Sequence, residues 1–271
     1  MRLVSAWWQR IGTRFRSGDL TPEQQERALN NWYQSELGRS LHAAERAVVD
    51  TSLNNGYHPF VVQLDVGLHE PLFDPDELKC KSSLVISRSI GPPSWPSACA
   101  DLEYLPLLPD TVDCMLIHHA LDFAEHPHRV LREAVQALRP GGHLILVGFN
   151  PYGFWGWSRL WRWGRRRRPW EGRFLSLPRL SDWCELLDCG EISRTYCYHW
   201  PPLNKARWKR RGRRLNLFIR RYLPAFGGAY VLVLRKNQVE MLNNPGWQPA
   251  FFLKGGVMGH NGGQAVNRWK S

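Results

Sequence analysis

Long apolar runs are missing from this sequence of 271 residues. None approaches the roughly 20 residues that a helix needs to cross a bilayer. The first twenty residues are basic but lack the apolar stretch of a secretory signal peptide. We therefore expect a cytoplasmic protein, and its hydrophobic residues, at 43% of the chain, are numerous enough to form a sizeable core.

Cysteine pairs at metal-binding spacing are also missing. The six cysteines lie at positions 80, 99, 114, 184, 189 and 197. Because no two of them form a CxxC pattern, we expect reduced thiols and no zinc site. Glu125, His126 and His128 form a local group, but its spacing across a loop and a proline defines no ligand geometry. The sequence therefore predicts no metal site.

Acidic residues are scarce in two segments, 155–173 and 205–223, which we call the basic segments. The first holds seven Arg against Glu171 alone, and the second holds nine Lys or Arg and no acid. The net charge of +12 thus divides into +15 for the basic segments (16 basic, 1 acidic) and −3 for the remainder (20 basic, 23 acidic). Several of the 14 Trp lie in these segments. The pattern indicates a near-neutral globular domain that carries two basic, Trp-rich segments.

Alternating apolar runs and helical patterns occupy much of the remaining chain. Thr21 followed by Pro22 is typical of a helix start, and we expect Gly38 to interrupt that helix. Further helices are predicted at about 40–53, 128–138 and 177–187, and strands at 60–66, 84–87, 112–118, 143–149, 191–200 and 229–235, with a brief segment ending at Asp101. This order predicts an α/β fold with a doubly wound, mostly parallel sheet that is covered on both faces.

A set of short motifs in the middle of the chain is characteristic. In order, they are Ala100-Asp101-Leu102-Glu103-Tyr104-Leu105-Pro106, Val112-Asp113, His119 with Leu121, Leu131-Arg132-Glu133, and Leu138-Arg139-Pro140-Gly141-Gly142. This set resembles the class I S-adenosylmethionine-dependent methyltransferases, specifically the type-11 methyltransferase domain. The resemblance covers about residues 101–148 well and residues 60–236 as a fold. It implies a seven-stranded Rossmann-like methyltransferase sheet, S-adenosylmethionine as cofactor, and methyl transfer to a nucleophile by in-line displacement.

The resemblance also implies a domain organisation. Residues 1–57 would be an N-terminal helical extension and residues 58–236 the methyltransferase-like domain. Insertions at about 150–176 and 203–226 would form a basic, Trp-rich cap on that domain. Residues 237–271, which are rich in Gly and Asn, are expected to form a loosely ordered tail.

Several cofactor-binding residues follow from the same resemblance. Asp101 would accept a hydrogen bond from the adenine amino group, and the backbone N–H of Leu102 would donate to a ring nitrogen. Asp65 and Gly67 would lie at the methionine end of the cofactor, with His118 beside them. A solvated turn residue, or a cap for the next helix, is the alternative interpretation of Asp101.

His119 matches the family's histidine after the fourth strand. It is the catalytic candidate, as a general base for a nucleophile that arrives protonated. The alternative interpretation is a histidine at a strand end whose ring is satisfied by backbone groups.

The first strand departs from the family pattern. Gln63 stands where an acid is expected, Asp65 and His69 replace glycines, and only Gly67 of the glycine turn is retained. The acid that would bind the ribose hydroxyls after the second strand is also not evident near residues 86–88. These changes predict weakened cofactor binding.

The basic segments admit several partners. Trp and Arg together suit an anionic membrane surface, RNA, or a lid over an acidic small substrate, and a solvated basic face is the remaining alternative. Large apolar neighbours favour a membrane or a lipid-linked substrate over nucleic acid, which would place the protein peripherally at the inner face of the membrane.

We therefore predict a methyltransferase that acts on an unidentified acceptor, either lipid-linked or acidic. The alternative is an inactive methyltransferase fold that binds membrane or nucleic acid through its basic segments.

Overall fold

The computed structural model describes residues 22–54, 56–66, 68, 70–74, 76–78, 80–89, 95–153, 155–156, 172–199 and 221–237. Gly67, most of both basic segments and nearly all of the predicted tail lie outside these residues. The predicted domain boundaries therefore stay predictions.

The described chain forms one seven-stranded sheet with helices. Its helices are α1 (Pro22–Tyr33), α2 (Glu36–Leu53), α3 (Ala120–Phe123), α4 (Pro127–Ala137) and α5 (Leu177–Leu186), and its strands are β1 (Phe60–Asp65), β2 (Ser82–Ser87), β3 (Ser97–Cys99), β4 (Val112–His118), β5 (Leu138–Phe149), β6 (Cys189–Cys197) and β7 (Ala229–Lys236). The strand order is β3-β2-β1-β4-β5-β7-β6. Strands β1 to β5 pair in parallel, and β7 lies antiparallel to both β5 and β6. The predicted doubly wound, mostly parallel sheet is confirmed.

Helices α1 and α2 meet at a tight corner, and here the predicted boundary is wrong. Helix α2 begins at Glu36, because the Ser35 side chain caps it by accepting the N–H of Gly38 at 3.1 Å. Gly38 lies inside α2 rather than between the helices. A Cβ atom at that position would lie 2.4 Å from the carbonyl oxygen of Trp32, so only glycine allows the two helices to approach so closely.

The two faces of the sheet bury separate hydrophobic cores. Along β4, Met115 and Ile117 point to one core, whereas Cys114 and Leu116 point to the other. Helices α4 and α5 cover the first core, together with the Leu29 side chain of α1. Helix α2 covers the second core with a stripe of buried side chains at i, i+4 spacing: Leu37, Leu41, Val49 and Leu53.

Two connections differ from a regular strand–helix alternation. The described residues between β1 and β2 contain no helix, so part of the cover on that side of the sheet comes from the N-terminal α2. The Arg139–Gly142 turn, predicted as a loop after a helix, belongs to β5, because Leu138 is extended and pairs with Val112. Within the described residues, no helix combines the length and hydropathy of a transmembrane span.

Candidate cofactor site and histidine–carboxylate network

The carboxyl edge of the parallel strands brings distant polar residues together. Strand register places Asp65, the last residue of β1, beside His118, the last residue of β4. His119 follows with a left-handed backbone (φ 51°), and its N–H donates to the carbonyl of Val147 at 2.9 Å. This turn sends two consecutive imidazoles into the same region beneath α2.

Helix α2 contributes a carboxylate that joins both imidazoles. Glu45 Oε2 lies 3.2 Å from His118 Nε2, and Glu45 Oε1 lies 3.0 Å from His119 Nε2. The opposite ring nitrogens also meet carboxylates: His118 Nδ1 lies 3.0 Å from Asp65 Oδ1, and His119 Nδ1 lies 2.9 Å from Asp122 Oδ2. We call these five residues the histidine–carboxylate network. All five are at most 2% exposed.

The network strongly perturbs proton binding. Burial disfavours the charged form of His118, but its hydrogen bonds to Asp65 and Glu45 outweigh burial and raise its pKa. Burial also opposes protonation of His119, yet the charge of Glu45 and the hydrogen bonds to Asp122 and Glu45 raise its pKa to about 9. Burial disfavours the Glu45 carboxylate, but the two imidazoles overcome this and hold its pKa well below the usual range. At neutral pH the network therefore contains ion pairs.

The loop after β1 is organised by the residues that depart from the family pattern. Gln63 Oε1 accepts the N–H of Leu72 at 2.8 Å, and Gln63 Nε2 donates to the carbonyl of Glu70 at 2.9 Å. Asp65 Oδ2 accepts the N–H of Leu68 at 2.8 Å. Gln63, which stands in place of the expected acid, and Asp65, which stands in place of a glycine, therefore shape this loop with side-chain hydrogen bonds.

The turn after β3 presents an exposed carboxylate. Asp101 Oδ1 accepts the N–H of Glu103, and the Asp101 carbonyl accepts the N–H of Tyr104, both at 3.0 Å. The side chain of Leu102 is fully buried in the first core. Asp101 thus caps its own turn, as one of the sequence alternatives allowed, and its adenine role stays a prediction.

A buried acid lies beside the end of β2, where the sequence offered none. Glu26 of α1 is 1% exposed and accepts hydrogen bonds from the N–H of Arg88 at 3.2 Å and the hydroxyl of Ser89 at 2.5 Å. Glu26 precedes these partners by more than 60 residues, so no local motif reveals the contact. With Asp65 and Asp101, it is the third carboxylate at the carboxyl ends of β1, β2 and β3.

Two buried polar atoms beside the network lack partners within the described chain. They are the hydroxyl of Tyr33 and Nε2 of His42. The Tyr33 ring centroid lies 5.7 Å from that of His118 and 6.4 Å from that of His119. Burial, and then the charge of Glu45, raise the pKa of Tyr33 well above its usual value, so the hydroxyl keeps its proton.

Comparison with known proteins supports a methyltransferase domain. Residues 80–146 match the family model described as a methyltransferase domain. Over 146 residues the chain is 35% identical to the uncharacterized Escherichia coli protein YafS. The aligned residues are 54% of this chain and 57% of YafS. Over 83 residues it is 28% identical to the mitochondrial 2-methoxy-6-polyprenyl-1,4-benzoquinol methylase of Caenorhabditis elegans. The aligned residues are 31% of this chain and 28% of that protein. The chain thus aligns with little more than half of the first relative and about a quarter of the second.

The fold comparison agrees. A Thermotoga maritima crystal structure, described as a SAM-dependent methyltransferase and possible histamine N-methyltransferase, superposes with a TM-score of 0.56. The match covers 78% of this chain and 98% of that chain at 19% identity. The protein therefore has the class I S-adenosylmethionine-dependent methyltransferase fold. Its predicted fold class and resemblance to that class are confirmed.

The residues at the carboxyl edge fit the cofactor that this fold implies. S-adenosylmethionine presents an adenine amino group, two ribose hydroxyls and a cationic methionine end. Asp101, Glu26 and Asp65 offer one carboxylate each, in strand order across the same edge of the sheet. Carboxylates accept hydrogen bonds from all of these groups and attract the positive charge.

Proposed function

We propose that this protein is an S-adenosylmethionine-dependent methyltransferase. The row of three carboxylates at the ends of β1, β2 and β3 carries the proposal, because it supplies one acceptor for each polar part of the cofactor. In a doubly wound sheet, ligands bind at this edge. The bound cofactor would supply an electrophilic methyl group for in-line displacement.

The chain's own residues would bind and align the cofactor. Asp101 accepts from the adenine amino group, and the N–H of Leu102 donates to the ring. Glu26 takes the role of the missing ribose acid, with a ribose hydroxyl replacing the hydroxyl of Ser89. Asp65 faces the cationic end beside Gly67. Such alignment and the exclusion of water account for most of the rate enhancement in a reaction of this kind.

The role of His119 as general base needs a change of partners. Both of its ring nitrogens contact carboxylates, and its side chain is fully buried. An acceptor that arrives deprotonated, or one whose proton leaves to solvent, would need no base. We retain His119 as the catalytic candidate only for protonated nucleophiles.

We further propose that the acceptor is lipid-linked and is reached at an anionic membrane surface. Tyr152, Tyr222 and Leu223 are 54%, 62% and 43% exposed, and all three lie in or next to the basic segments. Strands β5 and β6 end, and β7 begins, at the same edge as the carboxylates. Exposed aromatic and aliphatic side chains beside cationic ones suit a lipid interface. The Caenorhabditis elegans relative is named for a polyprenyl-linked acceptor.

Vesicle binding tests this second part. We expect the full chain to co-sediment with vesicles that contain phosphatidylserine, to bind pure phosphatidylcholine vesicles much less, and to dissociate as salt rises. Tyr222→Ala with Leu223→Ala should weaken binding, whereas Ile192→Ala, an exposed aliphatic control on β6, should not. Equal binding to both vesicle types, or tighter binding to single-stranded RNA, would contradict the proposal.

Calorimetric titration of S-adenosylmethionine and S-adenosylhomocysteine tests the first part. We expect micromolar binding that falls at least tenfold in Asp101→Ala and is unchanged in Asp182→Ala, an exposed helical control. The absence of binding at millimolar cofactor, in folded protein, would favour the inactive fold that docks through its basic segments.

A further inference from the structure

Two imidazoles and one carboxylate converge at the centre of the histidine–carboxylate network. The Nε2 atoms of His118 and His119 both point to the carboxylate of Glu45. One ligand atom from each of these residues lies within 4.8 Å of the others, and all three residues are buried. Neither His126 nor His128 belongs to this group, which instead joins two consecutive histidines to a glutamate 73 positions before His118.

We propose that Glu45, His118 and His119 form a buried binding site for one divalent transition metal, with zinc as the best-suited ion. The proposal does not depend on methyl transfer. Imidazole nitrogen with carboxylate oxygen suits zinc and its neighbours, whereas calcium and magnesium prefer oxygen ligands alone.

The spacing of the ligand atoms supports metal binding. Zinc bonds to imidazole nitrogen and carboxylate oxygen are about 2.0–2.2 Å long, so adjacent ligands are about 2.9–3.5 Å apart. The two separations between Nε2 and the Glu45 oxygens are 3.2 and 3.0 Å. In a tetrahedral zinc site every pair of ligands is adjacent, so the widest separation in the group, at most 4.8 Å, would close by up to about 1.3 Å when the ion binds.

Each histidine is oriented as metal-bound histidines usually are. Asp65 lies 3.0 Å from Nδ1 of His118, and Asp122 lies 2.9 Å from Nδ1 of His119. A carboxylate that accepts the Nδ1 proton leaves Nε2 as the coordinating atom and fixes the ring plane. Asp65 and Asp122 are therefore positioning residues for the metal, one for each histidine.

Charge balance is compatible with a cation at this site. The network buries three carboxylates, and removing such groups from water is costly unless positive charge accompanies them. A divalent cation bound among these carboxylates would supply two positive charges.

Two orphaned polar groups lie next to the proposed site. His42 precedes Glu45 by three positions on α2 and therefore lies on the same face of the helix. Its buried Nε2 has no partner within the described chain, and its ring centroid lies 6.3 Å from that of His118. The Tyr33 hydroxyl also lacks a partner within the described chain, and the Tyr33 ring centroid lies 5.7 Å from that of His118. A water bound to the metal would offer either polar atom a hydrogen-bond partner.

The burial of the ligands assigns the metal a structural role, and a metal-bound His119 would not also serve as the general base. Structural zinc sites are closed to solvent, whereas catalytic ones keep an open position. Because Glu45 belongs to α2, whereas His118 ends β4 and His119 directly follows it, the ion would fasten the N-terminal helix to the sheet.

Metal analysis of the full chain tests the proposal. Protein stripped with a chelator and dialysed against zinc should retain one equivalent per chain and melt at a higher temperature than the stripped protein. X-ray absorption should show nitrogen and oxygen ligands with imidazole scattering. Glu45→Gln should lower zinc affinity at least tenfold, whereas Glu185→Gln, an exposed helical control, should not change it.

Three outcomes would overturn the site. Folded wild-type protein that neither retains zinc nor gains thermal stability from it would do so, as would sulfur ligands from the buried cysteines. Zinc binding that survives Glu45→Gln but is lost in His128→Asn would assign the metal to the exposed histidines. Should Glu45→Gln not fold, the absorption spectrum of the wild-type protein decides the question.

Discussion

The two ends of the candidate cofactor site are built in opposite ways. At the adenine end, Asp101 is exposed, and its turn is closed by residues two and three positions later. At the methionine end, Asp65 and His118 are buried and contact each other, and His118 also contacts Glu45, which comes from a helix that precedes the sheet. The first end is made by local sequence and the second by long-range contacts. We infer that the adenine end contributes chiefly affinity for the cofactor, whereas the methionine end also contributes stability to the fold.

Glu45→Ala should have the largest effect on stability. It removes the one carboxylate that both imidazoles share and leaves buried positive charge, so we expect a loss of about 3–5 kcal/mol in the free energy of unfolding. Urea unfolding of the metal-free wild-type and variant proteins at pH 7 measures this loss in the free energy of unfolding. Glu185→Ala, at an exposed helical position, should change stability by less than about 0.5 kcal/mol. Similar losses in the two variants would show that the network does not stabilise the fold.

His58 sharpens the comparison, because it is a buried histidine that has no hydrogen-bonded carboxylate within the described part of the chain. Burial, with the nearby His143, lowers its pKa to about 4, whereas the network raises that of His119. A pKa lowered by folding means that the unfolded chain takes up the proton first, so stability is lost as the pH falls below about 6.5 towards 4. Between pH 7 and pH 5 the loss should be about 2 kcal/mol.

Comparison of wild-type protein with His58→Phe isolates this effect, since the ring contact with His143 is kept in the variant. The free energy of unfolding of wild-type protein minus that of His58→Phe should fall by about 2 kcal/mol between pH 7 and pH 5, because only wild type has the His58 imidazole. A difference that stays constant from pH 7 to pH 5 would contradict the pKa assigned to His58.

Glu26→Gln should lower cofactor affinity about tenfold, or about 1.4 kcal/mol, because the charged acceptor for the ribose is lost. Calorimetric titration with S-adenosylhomocysteine measures the change. The matched control is Glu133→Gln on α4, on which no cofactor contact is proposed. If Glu26→Gln binds as tightly as wild type, the row of three carboxylates does not hold the ribose.

Asp101→Asn should have the smallest effect on the fold. Its amide oxygen can still accept the N–H of Glu103, so the free energy of unfolding should stay within about 0.5 kcal/mol of wild type. The cofactor should nevertheless bind several-fold more weakly, because the carboxylate is replaced by a neutral amide. A variant that unfolds as readily as Glu45→Ala would remove the contrast between the two ends.

The sequence predicted the sheet well, since apolar runs bounded by polar residues identify buried strands. Strand β4 was predicted with its observed ends, Val112 and His118. The start of α2 was missed, because Ser35 caps the helix and Gly38 is required for close approach to Trp32 rather than for a break. A glycine within a helical pattern does not by itself indicate where the helix ends.

The network could not be predicted from local motifs, yet one signal was available. Glu45 interrupts the apolar stripe on α2 between Leu41 and Val49, which are both fully buried. Glu26 likewise lies on the face of α1 that buries Leu29 and Tyr33. An acid at a core position of an amphipathic helix must meet a partner, because an unpaired buried carboxylate is too costly. The identity of that partner depends on tertiary packing, which the sequence pattern does not encode.

Hydrogen exchange on the full chain with saturating S-adenosylhomocysteine tests the central claim most directly. Peptides that contain residues 64–68, 86–89 and 100–104 should exchange more slowly with the ligand, whereas α5 should be unchanged. That result would assign the cofactor to the carboxyl ends of β1, β2 and β3. Folded protein that shows no change in these three segments at millimolar ligand would contradict the account.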